Sequence, residues 1–329
     1  MEKRLGSACA ALTIAFVVAA ISPLGYAADF RWLNSFDRIQ PQIPEFVEPF
    51  QKGVEAASKG SIKFIISGPE TVPAFEQLQP AASGAFQFLF THGAYHFGTM
   101  PILAALEALG GTPEQRKASG VIDVVDAIYN KLGLKLISLA QTPEGGYQII
   151  LRKPPTPAGD LEGFKIRGNP TYQPVLKMLG AAMVSLPPSE VYTALDKGVV
   201  DGFAYTGFGV VAARLNEPAK YVLRPGFGFA SNPILVNLNT WNRFSAAEKK
   251  ILYDEAAKAE VQWLKASAQL IAQEEKDLIS KGLQVVQMGD AQKAKLKRVW
   301  SEGLWELAAQ KHKKEVDEVR ALARARGLD

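Results

Sequence analysis

Few side chains in this chain are able to do chemistry, and their spacing excludes more than it offers. The histidines are His92, His96 and His312. His92 and His96 stand four apart, an interval that puts two imidazoles on one helix face for a zinc ion, but Thr91-His92-Gly93 reads as the loop after a strand and no glutamate stands in the register of a zinc hydrolase. A hydrogen-bonding loop histidine is the better reading than a metal ligand or a catalytic base. No G-x-S-x-G elbow, phosphate loop or EF-hand loop occurs, so catalysis has no positive sign. Binding chemistry has one. Arg167 ends the short strand-like run Phe164 to Arg167 and points into a loop, where a guanidinium can give two parallel hydrogen bonds to a carboxylate. Lys165, two residues earlier, reads as a solvated lysine.

Alternating strands and helices must position these groups. Phe30 to Leu33 is a strand by pattern, Pro44 to Lys59 a helix with Phe46, Val47, Phe50 and Val54 at helical spacing, and Ser61 to Ser67 a strand stopped by Gly68-Pro69. Helical spacing resumes from Phe75 to Ala82, and Phe86 to Phe90 is a third strand. This β-α-β-α-β order predicts a mainly parallel sheet covered on both faces, with ligands beyond the carboxyl ends of its strands. A helix over Gly120 to Asn130 and a strand over Lys135 to Ala140 lead to Gln141-Thr142-Pro143-Glu144-Gly145-Gly146, where the chain crosses to a second lobe. There Tyr147 to Leu151, Phe164 to Arg167 and Ala182 to Leu186 read as strands, and Pro174 to Leu179 and Ser189 to about Gly198 as helices. Ile234 to Leu238 reads as a strand back in the first lobe. Ser245-Ala-Ala-Glu is a capping box, and no Gly or Pro follows until Gly282, so one helix near 37 residues, roughly 55 Å long, is expected to span both lobes. The expected division is residues 28–144 with 232–270 as the first lobe, 145–231 with 271–329 as the second, and 245–281 as the spanning helix.

Composition agrees with a large two-lobed globular chain. Its 329 residues are 47% hydrophobic and 21% charged, enough for more than one core. The excess of 37 Lys+Arg over 33 Asp+Glu is too small for a nucleic-acid surface, and the alternating charges from Lys313 to Arg320 read as a solvated helix face. Lys3 and Arg4, the apolar run Ala8 to Ile21, and the small residues Gly25 and Ala27 form a secretory signal, with cleavage expected after Ala27. The run is too short to anchor the chain in a membrane, and no stable insertion is expected after cleavage. Cys9, the one cysteine, leaves with the signal, which excludes disulfides and thiolate chemistry from the mature chain.

The stretch Asp160-Leu-Glu-Gly-Phe-Lys-Ile-Arg-Gly168, then Leu179-Gly180-Ala181, Val184-Ser-Leu-Pro-Pro-Ser-Glu-Val-Tyr-Thr-Ala-Leu195 and Gly198-Val-Val-Asp-Gly202, resembles the signature of the TRAP (tripartite ATP-independent periplasmic) transporter substrate-binding proteins. The resemblance implies a two-lobed α/β periplasmic binding fold of the type II kind, a location in the periplasm, a small organic carboxylate as ligand and the small and large TRAP membrane subunits as partners. It implies no catalysis, and it assigns the carboxylate clamp to Arg167. The chain departs from the family where other members carry polar or charged anchors: Tyr147 stands about twenty residues before the arginine, and Phe203-Ala204-Tyr205 follows Val-Asp-Gly. Ala204 stands where metal-dependent 2-oxo acid binders carry a glutamate, so no metal and no cofactor are expected. Tyr147, Tyr205, Tyr95, Phe36 and Phe208 predict a ligand with an apolar or aromatic body. Loop position adds Asn34 and Ser35, Glu70 and Thr71, His92, Asn169, Ser231 and Asn232 as cleft candidates. Asp201 and Gly202 are expected to shape a turn, the glycine through a positive φ.

Overall fold

The computed structural model describes residues 28–329, so the expected signal and its cleavage site lie outside the described residues. In chain order the elements are β1 (Ala28–Asn34), α1 (Glu48–Ala57), β2 (Ile62–Ser67), α2 (Leu78–Ala82), β3 (Phe88–Phe90), α3 (Leu103–Glu107), α4 (Pro113–Ser119), α5 (Val121–Lys131), β4 (Leu134–Gln141) and β5 (Tyr147–Leu151). There follow β6 (Lys165–Gly168), α6 (Gln173–Met178), β7 (Ala182–Ser185), α7 (Val191–Asp196), β8 (Gly202–Thr206), β9 (Tyr221–Phe227), β10 (Ser231–Asn237), α8 (Leu238–Arg243), α9 (Ala246–Ser280), β11 (Gln284–Gln287) and α10 (Asp290–Ala325). The strands form two mixed sheets, β2-β1-β3-β10-β4 and β11-β9-β5-β8-β6-β7. In the first, β1 pairs in parallel with β2 and β3, while β10 runs antiparallel to β3 and β4. This is the two-lobed α/β arrangement expected from the alternation.

The first sheet is built on an aromatic face. Period-two alternation points Phe30 and Trp32 of β1 the same way, and cross-strand register brings Phe64 and Phe88 to them. Trp32 stacks on Phe88 at 5.3 Å between ring centroids and meets Phe64 edge-on at 5.3 Å. Helix α9 covers this face with Leu252, Ala256, Ala259 and Trp263, all buried. Its start is fixed by the Ser245–Glu248 capping box, and its 35 residues reach roughly 52 Å at the ordinary rise. Farther along, Trp263 packs edge-on against Phe208, just past β8, at 5.5 Å. In the last turns Glu274 accepts from the backbone N–H of Gly209 and Val211, and Leu278 enters the apolar cluster of the second sheet. One helix thus begins on one sheet and ends on the other.

Four features depart from the sequence reading. Helices α3 and α4 were not expected, although Thr112, Pro113 and Gln115 form a complete capping box at the start of α4. Strands β8, β9 and β11 were also missed. Helix α10 carries charges throughout, yet buries Leu296, Trp300, Leu304, Trp305, Val316 and Val319; assigned above to the second lobe, it packs on α3 and α5 as well as on α6 and β9. Gly202 does not take a positive φ. It is required because a Cβ there would lie 2.5 Å from the Ile150 carbonyl oxygen of the neighbouring strand, and Gly198 is the residue with φ +72°.

Because Trp263 joins the aromatic core of one sheet to Phe208 beside the other, Trp263→Ala is expected to cost about 3–5 kcal/mol of stability. Urea unfolding monitored by circular dichroism checks this, and a loss below about 1 kcal/mol would mean that the site collapses freely.

Candidate functional site

Two short backbone crossings connect the sheets, besides the long helix. Residues 141–147 and 227–231 run side by side: Thr142 N–H donates to the Ala230 carbonyl at 3.0 Å, Gly146 N–H to Gly228 at 2.9 Å, and Ala230 N–H to Thr142 Oγ1 at 2.9 Å. The crossing is too tight for side chains. A Cβ on Gly146 would sit 2.8 Å from the Ala230 nitrogen, and one on Gly226 would sit 2.8 Å from the Tyr147 carbonyl oxygen. The loops after β1 and β3 therefore face the start of β5 and the end of β6 across a narrow gap.

Arg167 lies at that gap, 2% exposed, with Val184 of β7 and Phe203 of β8 in register beside it. Its Nε donates to the Leu186 carbonyl at 2.9 Å and its Nη1 to the Ala204 carbonyl at 3.1 Å, while buried Nη2 has no partner among the described residues. The guanidinium carbon lies 6.0 Å from the centre of the Tyr205 ring, within cation–π range. Two carbonyls thus fix the plane of the guanidinium and leave Nη2 without a well-formed hydrogen bond, with the Tyr95 hydroxyl beside the group.

A hydrogen-bond chain crosses the gap beside it. Ala94 N–H donates to His92 Nδ1 at 3.0 Å, so the ring proton belongs on Nε2, which lies 2.7 Å from Tyr147 Oη and 3.4 Å from Glu107 Oε1. Nε2–H therefore donates to Tyr147, and the hydroxyl proton of Tyr147 is left to turn toward Glu107. Burial, the Arg167 cation and His96 together push His92 down to about 3, so it is neutral at ordinary pH. Burial pushes His96 down to about 4, and its Nε2 lies 2.8 Å from Thr91 Oγ1. Burial raises Glu107 well above the usual carboxylate range, an effect that the hydroxyls of Tyr147 and Thr171 and the Ser231 amide only partly oppose. Burial also raises Tyr95, Tyr147 and Tyr172, and lifts Tyr205 to about 12. The gap is lined by neutral polar groups around a single cation.

Of the residues predicted from sequence, Arg167, Tyr147, Tyr205, His92 and Tyr95 come together here. Asn169 is adjacent, its Oδ1 accepting from the amide and hydroxyl of Thr171. Asn34 turns away. It shares the face of Trp32, whose indole N–H donates to its Oδ1 at 2.6 Å, whereas Ser35 turns inward to Gln77 and Thr91. Glu70 is exposed, folded back on the Gly68 amide near Asp37, whose carboxyl it helps to raise. Asp37 lies at the mouth, a cleft of about 150 Å3 lined also by Ser35, Gln40, Pro188 and Tyr205. A larger cavity of about 880 Å3 lies elsewhere, behind the crossings against Trp300 and Leu328. His92 and His96 do not converge on one point, and Phe208 packs on Trp263 instead of lining the gap. Sequence reasoning missed Glu107, Thr171 and Tyr172. The signal for Glu107 was present, since it is the one acid in the apolar run Ile102 to Leu109.

The buried neutral histidines set a pH dependence. Their folded values lie below the unfolded value near 6.5, so the unfolded chain binds protons that the folded chain refuses, and stability present above about pH 6.5 is lost on the way down to about pH 4. The slope reaches roughly 1.4 kcal/mol per pH unit for each histidine. Glu107, being raised, acts in the opposite sense over part of this window, so the comparison is made with His96→Gln, which is expected to remove one histidine's share of the slope. Urea midpoints from pH 7.5 to 4.5 check this; identical slopes would contradict a neutral His96.

The family model for bacterial extracellular solute-binding protein, family 7, matches residues 38–311. A monocarboxylate 2-oxoacid-binding periplasmic protein from Nostoc sp. is 27% identical over 217 residues, 62% of this chain and 58% of the relative, so the match spans under two thirds of that relative. The fold also matches two solved TRAP periplasmic solute-binding proteins. One, from Desulfovibrio salexigens with bound orotic acid, has TM-score 0.79 and 18% identity, covering 91% of this chain and 98% of the other. The second, from Rhodoferax ferrireducens with bound malonate, has TM-score 0.76 and 22% identity, covering 90% and 97%. The chain belongs to family 7 of the bacterial extracellular solute-binding proteins, in agreement with the resemblance read from Asp160 to Gly202.

Proposed function

We propose that the chain is the periplasmic receptor of a TRAP transporter, which captures a small organic carboxylate between its two lobes and delivers it to the small and large membrane subunits. The observation that carries this reading is the buried Arg167, held by two carbonyls with Nη2 in no well-formed hydrogen bond. A desolvated cation with a free donor calls for an anion, and a carboxylate is its natural complement. The Nostoc relative is named for monocarboxylate 2-oxoacids, and both structural neighbours hold an organic acid, which supports the same ligand class.

Closure is a hinge motion about the paired crossings, with α9 flexing between its two attachments, lobes corresponding to the two sheets and α10 strapped across both. Tyr95, Tyr147, Tyr172 and Tyr205 supply apolar area with polar tips, suited to an acid with an apolar or aromatic body. An exported enzyme acting through His92 is disfavoured because both ring nitrogens are engaged and burial holds the ring neutral with little basicity. A metal is not needed, since Arg167 supplies the charge and the Ala204 side chain is a methyl group.

A thermal-shift screen with mono-, di-, 2-oxo and aromatic carboxylates tests the proposal. A ligand at a hundred times its Kd adds about 2.7 kcal/mol of stability to the native state, and Arg167→Ala is expected to abolish that gain while Arg167→Lys keeps part of it. Equal shifts in wild type and Arg167→Ala would overturn the clamp.

A further inference from the structure

We infer that the cleft has capacity for one negative charge, so that the ligand is a monoanion and a second carboxylate is rejected. This rests on the receptor reading and names the ligand class within it. Among the described residues only two cationic side chains are buried, Arg116 and Arg167, and Arg116 is committed to the Gly111 carbonyl under α4, outside the gap. Arg167 is therefore the one cation available inside. The groups around it are hydrogen-bonding but uncharged types: the phenols of Tyr95, Tyr147, Tyr172 and Tyr205, with the amide of Asn169 and the hydroxyl of Thr171 just after β6.

Of the remaining ionisable groups, His92 and His96 are held neutral by burial, and the others are acids. Glu107 is fully buried, 3.4 Å from His92 Nε2, with neither oxygen in a well-formed hydrogen bond. Burial raises that acid, which favours its neutral form, and in either form it gives a second carboxylate no cation to pair with. At the mouth stand Asp37 and, close to it, Glu70, while no lysine or arginine lines the cleft there. A dianion would thus bury one charge on Arg167 and place the other beside Glu107 or against Asp37, where it is either unpaired or repelled. A monoanion meets neither penalty.

The test is calorimetric titration of the mature chain at pH 8 with three matched pairs: butanoate against succinate, 2-oxopentanoate against 2-oxoglutarate, and benzoate against phthalate. The expected result is that whichever monoacids bind do so at least 100-fold more tightly than their diacid partners, with affinity constant between pH 6 and 8. Diacid binding, where measurable, should weaken toward tenfold per pH unit as its singly charged form disappears. A diacid within tenfold of its monoacid at pH 8, with both lost in Arg167→Ala, would overturn the single-charge capacity and leave the receptor reading standing. Failure of all six acids to bind would count against the receptor reading and the inference together.

Discussion

A guanidinium buried between two lobes is the constraint around which this molecule is arranged. A cation taken out of water is costly unless its donors are used, and Arg167 uses two nitrogens on the carbonyls of Leu186 and Ala204 and lays its face near Tyr205. The third nitrogen, Nη2, makes no well-formed hydrogen bond. Burial disfavours the charged forms of His92, Glu107 and Tyr205 around it, so Arg167 is the one buried cation there among the described residues. In the proposed reading the site selects by subtraction: one charge, hydrogen-bonding groups of both kinds, and aromatic walls.

Such a site works only if the two sheets meet accurately and can still part. The paired crossings at 141–147 and 227–231 meet this need with backbone hydrogen bonds and glycines that allow close approach, so little apolar packing must break there. Helix α9 acts differently, fastening to the first sheet through Trp263 and to the second through Glu274 and Leu278. Helix α10 packs across both. The His92–Tyr147 hydrogen bond then joins a loop of the first sheet to the first residue of β5, next to the buried Arg167.

Much of this was legible in the sequence, for physical reasons. Periodicity located β1, β2 and β4, the capping box located the start of α9, and the position of Arg167 at a strand end led directly to the gap. Strand alternation could have corrected Asn34, which shares a face with Trp32 and so had to point into the aromatic core, leaving Ser35 to face the site. Glu107 escaped because a single acid in a short apolar helix gives no spacing signal, only the oddity of its burial. Helix α10 escaped because its apolar residues are diluted by charges on the remaining faces. Gly202 was singled out correctly but for the wrong cause, since close approach to Ile150 is a contact between strands distant in sequence.

The most direct test of the central claim is a crystal structure of the mature chain with a bound organic acid. The account predicts a carboxylate oxygen about 2.7–2.9 Å from Nη2 of Arg167, with the Leu186 and Ala204 contacts intact. A carboxylate bound elsewhere, with Nη2 still unpaired, would contradict it.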